Sequence, residues 1–260
     1  MKPCYYNDND PFVCAWLRHL IAAGHLPAGD VDERPIQEVT PDDVRGYSQA
    51  HFFAGIGGWP YALALADWGD RPVWTGSCPC QPFSQSGVGA GPNDPRHLWP
   101  IWHSLIAECR PATIFGEQVS GPSGRSWFDL VSCDLEDDGY AVAAADLPVA
   151  CVGAPHLRYR LWWVAAHPDA DGVRWEREQP QTHFTTQEDA RFQLSEFEGL
   201  VSSARELAIP AGRWGAVADG VSGRMGKLRA YGNAIVPQVA AAFVRAYVEC
   251  GAALAAGGKP

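Results

Sequence analysis

The stretch "AHFFAGIGGWPYALALADWG", residues 50–69, decides the fold. Its first five residues are apolar or aromatic but for His51 and read as a buried strand. Gly55, Gly57 and Gly58 then make a tight turn, and residues 59–69 read as a helix. Pro60 sits at the start of that helix, where its missing N–H costs nothing. A strand that runs through glycines into a helix is the opening unit of an α/β sheet. Such glycines also let a ligand approach the backbone, with the positive end of the helix dipole behind it. A plain strand-to-helix turn uses the same residues, so the turn alone leaves a cofactor role open.

The pattern continues on both sides. Residues 72–77 form a second short strand, which ends at Cys78-Pro79-Cys80. Residues 84–95 are a Gly/Ser/Pro loop, and residues 96–110 have helical apolar spacing. "ATIFGEQV" (112–119) is a buried strand that ends on Glu117. A helix near 126–138 stopped by Gly139, a strand near 140–146 and a strand over 160–166 follow. Upstream, residues 10–24 read as a helix with Asp10 as N-cap, Pro11 in the first turn and Gly24 as its stop. An acidic, proline-containing stretch runs from there to Gly46. Residues 167–212 are polar and weakly periodic and read as an inserted lobe, and a closing helix follows "YGNAIVPQ". Helices alternating with short apolar strands predict an α/β fold with a largely parallel sheet.

Composition narrows the class. With 47% apolar residues and 19% charged, the chain can bury a sizeable core and is not globally disordered. The opening residues do not read as a secretion signal, and no apolar run is long enough to cross a membrane. A soluble cytoplasmic protein with free thiols is expected. The eight cysteines form no C-x-x-C pair, which argues against a metal site. The net charge of −10 argues against nucleic acid as a partner when taken alone. A local basic groove suffices for binding, however, and residues 205–229 carry Arg205, Arg213, Arg224, Lys227 and Arg229.

In open α/β sheets ligands bind beyond the carboxyl ends of the strands, so residues there are the candidates for chemistry. Cys80 stands between prolines at such an end. A packed structural thiol is the bland reading. Its place before a glycine loop suits a nucleophile. Glu117 follows "TIF" at the rim of a buried strand, where a carboxyl group must meet a polar partner. Arg158 and Arg160 are two apart and share a side if extended. They read either as a solvated edge or as contacts to phosphate or base.

In this order the pieces resemble the DNA (cytosine-5) methyltransferase family. Phe53-Ala54-Gly55-Ile56-Gly57-Gly58 matches its cofactor turn, and Pro79-Cys80-Gln81-Pro82-Phe83-Ser84 its nucleophile loop. Asp94-Pro95-Arg96 with Leu98 resembles the segment after that loop. Glu117-Gln118-Val119 stands where the family has Glu-Asn-Val. Arg158-Tyr159-Arg160 matches the paired arginines, and Gly232-Asn233-Ala234-Ile235-Val236-Pro237 the last cofactor motif.

The resemblance implies a Rossmann-like, S-adenosylmethionine-dependent methyltransferase sheet, shortened, with a small inserted recognition region. Residues 1–47 are then an N-terminal extension. Residues 48–166 and 213–260 are the two parts of the catalytic domain, and 167–212 the target-recognition region. It implies Cys80, Glu117, Arg158 and Arg160 as catalytic residues. Phe53, Ala54, Gly55, Ile56, Gly57, Gly58, Ser84 and Asn233 would hold S-adenosylmethionine, with no metal. The implied substrate is cytosine in double-stranded DNA, flipped out of the helix, and the implied state is a monomer. Three other readings remain at this point: an inactive binding relative of the fold, a tRNA cytosine methyltransferase, and a redox pair of Cys78 and Cys80.

The chain departs from the family in one large respect. The segment from Gly58 to Cys80 is too short for the two strands the family places there, one of which ends in an acid that grips the cofactor ribose. The acidic N-terminal stretch can supply the missing elements, with Asp30, Asp32 or Glu33 as the acid. Smaller departures are Gln118 for Asn, His156 for Gln and Cys78 for Pro.

Overall fold

The computed structural model describes residues 2–79, 97–154, 158–167 and 234–255, with side chains described over 4–79, 97–154, 158–167 and 234–250. Seven strands form one sheet in the order β2-β1-β3-β4-β5-β7-β6. They are β1 (Lys2–Asn7), β2 (Gly29–Asp32), β3 (Tyr47–Phe52), β4 (Val73–Gly76), β5 (Thr113–Val119), β6 (Ala141–Pro148) and β7 (Tyr159–Ala166). Strands β2, β1, β3, β4 and β5 run parallel, and β7 is antiparallel to both of its neighbours, β5 and β6.

The helices are α1 (Pro11–Ala22), α2 (Pro41–Val44), α3 (Gly58–Leu65), α4 (Trp99–Cys109), α5 (Pro122–Asp137) and α6 (Pro237–Ala255). The expected punctuation holds. Asp10 caps α1 by accepting from the Phe12 N–H at 2.9 Å, with Pro11 in the first turn. Gly24 follows α1 at φ +73°, where a side chain is disfavoured.

Two strands lie where the sequence showed only an acidic stretch and an extension. In β1, "KPCYYN", Cys4, Tyr5 and Tyr6 are all buried, as a strand covered on both faces requires. Strand β2, "GDVD", is an acid-rich, half-exposed sheet edge. Both strands fall within the N-terminal stretch that the sequence offered for the missing elements. They precede the glycine turn in the chain and still lie beside β3 in the sheet.

The core has two sides. Tyr5, Phe52, Trp74, Trp99, Trp102, Trp127 and Trp163 pack with α4 and α5 on one face. Trp59, Trp68, Phe115, Trp162 and the Val239–Val244 turn of α6 pack on the other, next to a smaller cluster of Tyr6, Leu17 and Leu26 under α1. Burying each such large side chain contributes roughly 1.5–3 kcal/mol. Gly116 is required in β5 because a Cβ there would lie 2.0 Å from Cε2 of Trp163.

Register positions the site. Asn7, Phe52, Gly76 and Gly116 pair across β1, β3, β4 and β5 in one row. The next residues along, Asp8, Phe53, Ser77 and Glu117, therefore emerge side by side at one rim.

Candidate active site

The rim begins with the glycine turn. Phe53, Gly55 and Gly57 have φ of +50°, +54° and +85°, so the chain doubles back sharply before α3. At Gly57 a Cβ would meet Cδ1 of Leu26 at 2.5 Å, so glycine is needed for space as well as for conformation. Beside Gly55 the nearest atom to an added Cβ is the Phe53 carbonyl oxygen at 4.0 Å, so the turn opens onto a space there. Ala54 is buried and donates its N–H to the Asn7 carbonyl at 3.0 Å. Ile56 is half-buried. Gly58 lies under the segment after Asn233, since its Cβ would stand 2.6 Å from Cγ1 of Ile235.

A carboxylate that the sequence reading passed over closes this turn. Asp8, just past β1, accepts from the Gly55 N–H at 2.9 Å through Oδ2 and from the Asp10 N–H at 3.0 Å through Oδ1. Burial pushes its pKa up, and the Asp10 and Gly55 amides hold it back. A strand-end carboxylate beside the glycine turn of the next strand could have been suspected from "YYNDNDP", where β-prone residues run straight into a helix cap.

Of the acids expected to meet the cofactor, Asp32 stands next to Asp8, its carbonyl accepting from the Asp8 N–H at 3.2 Å, and all three carboxyl groups have partners. Asp32 accepts from the Tyr5 hydroxyl at 2.7 Å and pairs with Arg34 at 2.6 Å, and Glu33 pairs with Arg18. Asp30 accepts from the Tyr47 hydroxyl. Asp30, Asp32 and Glu33 line a cavity of about 640 Å³ at the β2 edge. Its acids are matched by arginines and tyrosine hydroxyls.

Further along the rim, Glu117 is 7% exposed at the end of β5. Nε of Arg160 lies 2.8 Å from Glu117 Oε1. Burial pushes the Glu117 carboxyl above its ordinary pKa, while Arg160, a hydrogen bond from Ser77 and the charge of Arg158 pull the other way. Arg158 is held below its usual value by burial and by Arg160, with Glu117 opposing. Glu117 and both arginines thus form one charged cluster.

Two residues tie this cluster to β4. Gln118 is 4% exposed and donates from Nε2 to the Cys78 carbonyl at 3.0 Å. The Trp59 indole, in the first turn of α3, donates to Ser77 Oγ at 3.2 Å. Sequence reading marked Gln118 as standing for Asn but gave Ser77 and Trp59 no role, since a serine in a strand end and a tryptophan in an apolar helix carry no signal of their own. Cys80, Ser84 and Asn233 lie outside the described residues, as do residues 84–95 and 168–212. Among the described residues no group of His, Cys, Asp or Glu could hold a metal ion, and no helix is long and apolar enough to cross a membrane.

Residues 66–208 match the family described as C-5 cytosine-specific DNA methylase. The Type II methyltransferase M.AplI of Arthrospira platensis is 35% identical over 95 residues, which is 36% of this chain and 28% of that protein. The Type II methyltransferase M.PspPI of a Psychrobacter species is 25% identical over 195 residues, 73% of this chain and 40% of that one. The chain thus aligns with less than half the length of either relative. Among solved structures, a DNMT2 variant of Spodoptera frugiperda is 16% identical with a TM-score of 0.41, covering 66% of this chain and 51% of that one. The family match takes in more than half of the chain, including Glu117, Gln118, Arg158 and Arg160, and on it the chain belongs to the C-5 cytosine-specific DNA methylase family.

Proposed function

We propose that this protein methylates C5 of cytosine in double-stranded DNA, acting as a monomer with Cys80 as nucleophile. The observation that carries this reading is Glu117, a buried carboxyl group clamped by Arg160 at the rim and tied through Gln118 to the segment that leads into Cys80.

Cytosine C5 is a poor nucleophile. The Cys80 thiolate adds to C6, a C–S bond forms, and the C5=C6 electron pair moves to C5. The negative charge that develops on the ring is met at N3 by the proton held on Glu117. The same carboxyl group accepts from the exocyclic amine, which tells cytosine from thymine. Arg160 fixes the carboxyl orientation, and Arg158 adds positive charge for the nucleotide phosphate. After C5 has gained its methyl group, loss of the C5 proton to a base re-forms the double bond and expels the thiolate. The target atom is unreachable inside a duplex, so the base is flipped out.

S-adenosylmethionine supplies the electrophilic methyl group. The residues present fit it: an open space beside Gly55, a helix N-terminus at Gly58, and a carboxylate, Asp8, at the neighbouring strand end. Phe53 through Gly58, Ser84 and Asn233 would hold it. Asp8 would take the ribose hydroxyls in place of Asp30, Asp32 or Glu33.

The test is methyl transfer from labelled cofactor to DNA or to tRNA, beside a Cys80→Ser variant. Transfer to DNA that disappears in the variant supports the reading. Transfer to tRNA alone, or transfer that survives the substitution, overturns it. DNA containing 5-fluorocytosine should form a denaturation-resistant adduct with the wild-type chain, because its C5 fluorine cannot leave as a proton does.

A further inference from the structure

The described core holds several tryptophans whose buried N–H groups have no acceptor: Trp68, Trp102, Trp127, Trp162 and Trp163. Trp59 differs. Its indole donates to Ser77 Oγ at 3.2 Å, although Trp59 is 2% exposed and packs against Phe115 and Trp162 like the others. Ser77 is the next residue after the Gly76–Gly116 pair, so in the parallel ladder it stands beside Glu117 and on the same face. From that position its hydroxyl reaches towards the Glu117 carboxyl and helps to hold down a pKa that burial raises.

Direction follows from the chemistry of the groups. An indole N–H can only donate, so the Ser77 oxygen accepts from Trp59. The single hydroxyl hydrogen is then left to point at Glu117. We propose that Ser77 is a positioning residue for Glu117 and that Trp59 sets the direction of its hydroxyl. The inference rests on the cytosine-methylating reading of the site. It extends that reading to two residues that touch neither substrate nor cofactor. Because Trp59 follows Gly58 directly, the relay also joins the cofactor turn to the group that holds the base.

The experiment is the pH profile of kcat/KM for methyl transfer to DNA. Whether Glu117 acts as the acid or as the carboxylate opposite a protonated N3, its pKa appears on the acid limb as long as it lies below that of Cys80. A donor aimed at the carboxylate favours the charged form, so its loss moves this limb to higher pH. Ser77→Ala should move it up by about one unit. Ser77→Thr, which keeps the hydroxyl, should restore it. Trp59→Phe, which keeps a ring and loses the N–H, should move it in the same direction. A Ser77→Ala limb coincident with that of the wild type overturns the relay. If that variant does not fold, an unmoved limb in Trp59→Phe does so. A wild-type chain that methylates neither DNA nor tRNA overturns the parent reading instead.

Discussion

Gln118 donates from Nε2 to the Cys78 carbonyl at 3.0 Å while its Oε1 accepts from the Val119 N–H at 2.8 Å. One side chain thereby fastens the end of β5 to the chain leaving β4, two residues before Cys80. Gln118→Ala should lower kcat for methyl transfer about 10–100-fold with little change in KM for DNA, since sub-ångström misplacement of a nucleophile costs on that order. Gln118→Asn, one methylene shorter, should fall between. Steady-state kinetics on a single-site oligonucleotide decide it; equal kcat in all three removes Gln118 from the machinery.

Glu117 and Arg160 form the second test. Glu117→Gln keeps the shape and loses the transferable proton, and should lower kcat/KM by about 100-fold or more. Arg160→Ala removes the nearest opposite charge from a buried carboxyl whose pKa already stands above its ordinary value. Its pKa then rises further, and the acid limb of kcat/KM moves to higher pH. A limb that moves down would contradict the ion pair as drawn.

Asp8 yields a binding prediction. Asp8→Asn keeps an acceptor for the Gly55 N–H but removes the charge, and should weaken S-adenosylmethionine about 10–100-fold by calorimetry. Asp30→Asn, whose carboxyl meets Tyr47 at the far edge, should leave affinity unchanged. The reverse ranking would return the ribose to the β2 acids.

His51 predicts how stability responds to acid. It is fully buried in β3, bonded through Nδ1 to Thr75 Oγ1 at 2.8 Å, with its Nε2 unpartnered. Burial lowers its pKa from 6.5 to about 3. Between those values the unfolded chain binds a proton that the folded chain does not. Stability is therefore retained above pH 6.5 and lost as pH falls towards 3, by about 1.4 kcal/mol per unit from this group. Denaturant titrations at pH 7 and pH 4.5 should show that loss in the wild type and a smaller one in His51→Leu.

Much of this was legible in the sequence because the signals were local. Asp10, Pro11 and Gly24 bracket α1; the glycines after Phe52 mark the turn; and "TIFGEQV" reads as a strand that ends on a carboxyl. Glu117 and Arg160 were each marked as candidates by their motifs, and the antiparallel register of β5 and β7 brings them into contact. What could not be read depended on distance in the chain. Strand β2 has four residues, two of them acidic, and its strand character comes from pairing with β1 rather than from its own propensity. Asp8 acquires its place only when Asn7 lies beside Phe52, and Ser77 acquires its partner only when β4 lies beside β5.

The early position of β1 and β2 bears on how the molecule is made. A ribosome releases β1, α1, β2 and β3 before any residue of β4, so three neighbouring strands and their covering helix can assemble while the rest is still being synthesised. The glycine turn and Asp8 beside it can thus take shape on the nascent chain, ahead of the rim residues Ser77 and Glu117.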